Sequence, residues 1–419
     1  MPDVIREPAR ETPVSHTVDL LVAGGGASGV AAAVSAARMG LSVVMAELTA
    51  IPGGMITHVN RWFSRDFENK GGYTREFLDA ITELGFCEWP YYNPFPLVPY
   101  FDDVLESSGA RPLYLTGVAA PLIEDGRLAG AIVESKSGRH AVRARIVIDA
   151  TGDGDLAARA GARFSIGRPG DGACQSMSIS HMLMDYVGPA IDADTFTAMV
   201  HDAAQEAGSG FELPYDHWRI APLVGTEHAV WHTIPHVTGH DPLSAEGLSD
   251  ALVALRRQAW DLYQTLKEHA EPFRDVAFGP VSCYPGVRES RRIVCDAEIT
   301  SEAVRSGQKS ETGLFTVVQS IDMHKPTEGE PSIVVERIKP YHVPYGALLP
   351  QGIENLLVIG RCIGGSHEAC SSYRVVPDCM AMGEAAALAT RMAIEGGCTP
   401  REIAVGDLIG EMANRGYQR

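Results

Sequence analysis

The chain has 419 residues, 45% of them hydrophobic, and its 53 acidic against 35 basic side chains leave a net charge of −18. That length suffices for two connected domains, each with its own core, and the acidic balance argues against nucleic acid and anionic membrane as partners. No apolar run approaches the roughly 18 residues that span a bilayer. The N-terminal MPDVIREPARETPVSH lacks the apolar core of a signal peptide and reads as a frayed tail. The eight cysteines form no C-x-x-C pair, which predicts reduced thiols and a cytoplasmic location.

The first ordered unit spans residues 18–47, VDLLVAGGGASGVAAAVSAARMGLSVVMAE. Residues 18–23 read as a buried parallel strand. Gly24, Gly26 and Gly29 follow in G-x-G-x-x-G spacing, and a helix is predicted over 27–39, stopped by Gly40. Residues 41–46 form a second buried strand closed by Glu47. Gly24 permits the tight turn, Gly26 lets a pyrophosphate approach the backbone, and Gly29 lets the helix lie close to the sheet. The helix N-terminus attracts phosphate, and an acid at the second strand's tip accepts the hydroxyls of an adenosine ribose. The alternative is a glycine-rich turn without ligand, which leaves Glu47 unexplained.

Pro52-Gly53-Gly54 is a turn where backbone comes close to something. A helix is predicted over 73–84, then a proline-broken aromatic loop, then a helix over about 98–106. Residues 111–116 read as a strand. A meander over about 118–145 turns at Glu124-Asp125-Gly126 and Ser137-Gly138. It feeds a buried strand, residues 146–150, that ends in Ala150-Thr151-Gly152, with a helix starting near Asp155 and capped by Asp153 or Asp155. Residues 163–345 loosen into strands over 176–184 and helices over 194–207 and 249–269, an α+β pattern. A last apolar strand (356–360), a glycine-rich polar loop (362–374) and an alanine-rich helix (377–395) close the chain.

Three of these pieces together resemble the two-dinucleotide-binding-domain flavoproteins. PGGM at 52–55, IDATGDGDLAARAGA at 148–162, PGVRESRRI at 285–293 and NLLVIGRCIGGSHEACSSYRVVPDCMAMGEAAA at 355–387 narrow the resemblance to the FAD-dependent oxidoreductase family. The resemblance implies an α/β fold: a Rossmann-like FAD-binding domain, with a parallel sheet and an antiparallel meander, plus an α+β substrate domain. The expected organisation is a tail (1–17), the first part of the FAD domain (18–162), a substrate or cap domain (163–345), the C-terminal part of the FAD domain (346–397) and a tail (398–419). It implies FAD in an extended pose held by Gly24, Gly26, Ala27, Ser28, Gly29, Glu47, Gly53, Gly54, Met55, Val118, Thr151, Gly152, Gly360, Arg361 and Met380. Arg361 stands where an aspartate often holds the ribityl chain, and it is expected to pair with a phosphate instead.

Within that frame, His367 is expected to border the flavin as an acid/base or hydrogen-bond donor, or else to brace its loop. Tyr373, Arg374 and Arg288 join it as catalytic candidates. Arginine suits a carboxylate, and Arg288 with Arg292 would clamp an anionic substrate or pair with Glu289, Asp296 or Glu298. His228, His232, His236 and His240 recur every fourth residue. Pro235 and Gly239 speak against a helix, a strand spreads them too far for one metal ion, and partly exposed strand positions fit best, with a His-lined wall of the substrate pocket as the alternative. Cys362, Cys370 and Cys379 read as small buried residues. No metal and no separate NAD site is visible. The sequence supports an FAD-dependent dehydrogenase or oxidase of a small polar molecule with an unnamed electron acceptor. A reductase of an activated double bond and a non-catalytic flavin-fold protein remain the alternatives.

Overall fold

The computed structural model describes Ile5 and residues 8–59, 63–208 and 220–419. Its main sheet has seven strands. Six lie in the order Arg111–Leu113, Val43–Ala46, Val14–Ala23, Gly138–Asp149, Arg127–Ser135, Gly117–Glu124. The first four pair in parallel, and the last two are the antiparallel meander. Leu356–Val358 runs parallel beside the second half of Gly138–Asp149. The fold is therefore the expected α/β type.

The meander's last strand and the expected strand at 146–150 are one strand, Gly138–Asp149. Nothing in VRARIVID turns the chain. Its first half pairs with the meander, and its second half with Leu356–Val358. The same strand lengthens the first one, because Val14, His16 and Thr17 find partners at Ala141, Val142 and Arg143. Part of the expected N-terminal tail is thus strand.

Leu20, Leu21, Val22, Val147 and Ile148 are fully buried, as an all-parallel centre requires. The helix Ala27–Arg38 packs against the long helix Val376–Gly396. Small residues set that distance. A Cβ on Gly383 would lie 2.3 Å from the Ser28 carbonyl oxygen. The main core also takes in Ile293, Phe315, Tyr341 and Leu348. Residues 398–419, expected as a tail, contain the helix Val405–Asn414, whose Leu408 and Met412 are buried.

A second, antiparallel sheet has four strands in the order Ile220–Pro222, Ala229–His232, His181–Met184, Ala277–Val281. Leu183, Phe196, Leu262 and Phe273 fill the core between it and the helices Ala193–Ala207 and Ala245–His269. Asp192 and Ser244 cap those helices through the Thr195 and Gly247 amides.

Two local readings are corrected. The segment 362–374 is not a loop: a 3-10 turn, Gly360–Cys362, leads to a helix, His367–Tyr373, capped by Ser366. Neither Asp153 nor Asp155 caps the helix Asp155–Arg159. Thr151 Oγ1 accepts the Asp155 amide at 2.9 Å, and the Asp149 carboxylate accepts the Ala157 amide at 2.8 Å.

A buried charge cluster ties the long helix to the rest. The Lys70 ammonium lies 2.8 Å from carboxylates of both Asp66 and Asp378, and all three side chains are fully buried. Asp66 also accepts the Val318 and Gln319 amides. Burial, then the neighbouring Asp66, pushes the Asp378 carboxyl well above its ordinary range, so one carboxylate balances one ammonium. Lys70→Met removes the cation that both carboxylates face. It is expected to cost about 3–5 kcal/mol, read as a lower urea midpoint with unchanged slope.

Candidate functional site

The carboxyl ends of three adjacent parallel strands, Val14–Ala23, Gly138–Asp149 and Leu356–Val358, form the floor of one cleft. The three glycines of the first turn serve different ends. Gly24 has φ +106°, and a Cβ there would lie 2.4 Å from the Ala150 carbonyl oxygen. A Cβ on Gly29 would meet the Gly24 carbonyl at 1.9 Å. Gly26 has an ordinary φ of −70°, and a Cβ on it would meet nothing within 4 Å. Neither backbone nor packing within the chain demands glycine at position 26. The space in front of it does, if a ligand lies there.

The expected cofactor residues converge on this space. The Glu47 carboxylate accepts the Gly25 amide at 2.6 Å and the Thr49 amide and hydroxyl, both at 2.7 Å. The 52–55 segment crosses the turn: the Gly53 amide donates to the Gly25 carbonyl at 2.8 Å, and Gly54, beside Met55, would touch Gly26 with any Cβ. Thr151 is held by the Asp149 carboxylate, through its amide at 3.0 Å and its hydroxyl at 2.7 Å. Gly360 lies beside Ser28 Oγ, and Gly152 lies against the Arg361 guanidinium. Ala27 and Ser28 open the first helix.

Arg361 pairs with Asp153 at 2.5 Å, and its buried Nε has no hydrogen-bond partner among the described residues. An unpartnered guanidinium nitrogen beside Gly152 fits a polar ligand atom. Asp153, which Ser290 also contacts, is the carboxylate beside Arg361. Two further expected residues have contacts within the chain. The Val118 carbonyl accepts from Arg159 at 2.5 Å, and Met380 is fully buried in the long helix. Asp149, Asp153 and Thr49 were not foreseen as part of the site. The only local signal was an acid at the end of an apolar strand.

On the opposite side lies a polar cluster. The His367 imidazole Nδ1 is 2.7 Å from the Glu289 carboxylate, which Arg292 also contacts. Arg292 donates further to the carbonyls of Gly167 and Gly365, so pairing with Glu289, rather than a clamp shared with Arg288, describes it. Arg288 donates to the Ser176 carbonyl at 2.8 Å and approaches His236 at 3.2 Å. Arg374 donates to the carbonyls of Arg288 (2.6 Å) and Asp322 (3.0 Å). Tyr373 is fully buried with its hydroxyl 3.4 Å from the Ile363 carbonyl, a place for packing rather than for touching substrate.

The four spaced histidines separate. His228 is exposed and His240 half-buried. His232 is fully buried and 3.1 Å from His181, while His236 stacks on His324. Partial exposure therefore fails for His232 and His236, because their strands lie inside the second sheet region. Burial, then the Arg288 charge, lowers His324 to about 4, and the same two causes hold His236 well below its ordinary value. Cys362, Cys370 and Cys379 are buried, as expected.

The fold and the cleft define a dinucleotide-binding α/β protein. The model of the family described as FAD dependent oxidoreductase matches residues 19–412, and the chain belongs to that family. Among solved structures, the flavin-dependent brominase Bmp2 is similar at 12% identity and a TM-score of 0.51, over 95% of this chain and 84% of that one. p-Nitrophenol 4-monooxygenase PnpA from Pseudomonas putida DLL-E4 is similar at 12% identity and a TM-score of 0.50, over the same shares. These likenesses concern the fold alone. No curated protein matches the chain. The chain is an FAD-dependent oxidoreductase, and the open face of Gly26 and the unpartnered Arg361 Nε fit that cofactor.

Gly26→Val is expected to fold normally and purify colourless, because the new side chain fills only ligand space; thermal melting and absorbance near 450 nm check it. Glu47→Gln keeps the shape but loses the charge, so FAD affinity is expected to fall by about 1.5–3 kcal/mol. Flavin release followed by fluorescence measures that loss.

Proposed function

We propose that this enzyme is a dehydrogenase or oxidase that moves hydride equivalents from a small polar, anionic organic substrate to FAD. Bound FAD supplies the two-electron acceptor. The observation that carries the reading is the Glu289–His367 pair at 2.7 Å. A buried carboxylate that fixes an imidazole is the arrangement of a positioned general base. His367 takes the proton that leaves the substrate as its C–H bond is oxidised.

Arg288 and Arg374 hold the substrate's anionic group. His236 and His324, neutral at physiological pH, offer it hydrogen bonds without charge. Both guanidiniums act on the Asp322 carboxylate, which His324 approaches at 3.5 Å. The Gln175 side chain links the parts: its oxygen accepts the His324 amide at 3.2 Å, and its amide nitrogen donates to Ser371 at 3.0 Å.

His367→Asn is expected to keep the flavin spectrum while anaerobic flavin reduction by substrate slows about 10²–10⁴-fold. Stopped-flow bleaching of purified enzyme by a panel of hydroxy and amino acids reads this. Reduction as fast as in the parent would leave His367 a brace for its helix. Reoxidation of the reduced enzyme by activated alkenes, with no bleaching by any donor, would favour a reductase instead.

A further inference from the structure

Cys283 is the one exposed cysteine of the eight. Its Sγ lies 3.1 Å from His58 Nδ1. The other ring nitrogen, Nε2, lies 3.3 Å from Thr49 Oγ1. Thr49 has one hydroxyl proton, and both remaining neighbours are pure acceptors: the Glu47 carboxylate at 2.7 Å and the Ile51 carbonyl at 3.0 Å. The proton therefore points away from His58. The hydroxyl oxygen is then set to accept from His58 Nε2–H, with Nδ1 facing the thiol. The Tyr284 ring flanks the imidazole at 5.9 Å.

A nucleophile within reach of a base, with the base oriented by a third group, is the general signature of an activated thiol. We infer that Cys283 is a nucleophilic cysteine, activated by His58, whose substrate is a peroxide. The thiolate sulfur attacks one oxygen of hydrogen peroxide. An S–O bond forms and the O–O bond breaks. The thiol proton passes through His58 Nδ1 to the departing hydroxide, giving water and a sulfenic acid. Sulfur is oxidised by two electrons and peroxide is reduced by two, so no further reactant is needed. The inference is independent of which substrate reduces the flavin. Its base shares Thr49 and Glu47 with the cofactor cleft, which puts the thiol beside the adenosine end of the site.

The test treats FAD-loaded enzyme with equimolar hydrogen peroxide, traps sulfenic acid with dimedone and maps the adduct by mass spectrometry. Cys283 is expected to label at least about tenfold faster than Cys174 or Cys398, and Cys283→Ser to lose that adduct. His58→Gln removes the base, and Thr49→Val removes the group that fixes its tautomer. Both are expected to slow Cys283 labelling, His58→Gln by about 10²-fold, with rates compared at matched flavin absorbance. Equal labelling of Cys174 or Cys398, or an unchanged Cys283 rate in whichever of the two base-side variants folds, would overturn the assignment.

Discussion

The Asp149 carboxylate is the constraint on which the cleft depends. It is fully buried at the end of the sheet's central strand. It accepts the Thr151 amide and hydroxyl and the Ala157 amide. Burial raises its pKa even against those donors, so its place is maintained at a cost. The same residue sits in register with Ala23 on one side and Val358 on the other. Its carbonyl accepts the Ile359 amide at 3.0 Å. One side chain and its backbone thus align the glycine turn, the Thr151 turn and the Gly360 turn. Removing it would loosen all three at once.

Those turns create emptiness in a chosen place. Gly24 and Gly29 are small for reasons inside the chain, whereas nothing inside it requires Gly26 to be small. Around that space the charges are arranged in neutralised pairs. Arg361 meets Asp153, and Glu47 meets two amides and a hydroxyl. The helix N-terminus at Ala27, with its backbone amides, is the kind of element that attracts phosphate.

The parts legible in the sequence are those set by contacts close along the chain. The 18–47 unit, the meander turns and the alanine-rich final helix follow from period, glycine and proline. What escaped was set from far away. The first strand begins at Val14 only because Ala141 offers it a partner. His367–Tyr373 is helical despite its polar, glycine-led sequence, because Ser366 caps it and Cys370, Ser372 and Tyr373 are buried around it. Pairing of the arginines with Glu289 was one reading the sequence left open, beside Asp296, Glu298 or a clamp of Arg288 with Arg292, and the fold selects Glu289 for Arg292. Asp153 reaching Arg361 across 208 positions of sequence was beyond any local pattern.

On the substrate side, donors and charges are allotted separately. His236 and His324 lie against Arg288 in a buried setting, so they stay neutral and cannot add attraction for an anion. The two guanidiniums donate to carbonyls of Ser176, Arg288 and Asp322. A carbonyl orients a guanidinium without cancelling its charge. His367 is built the other way, with a carboxylate at its Nδ1.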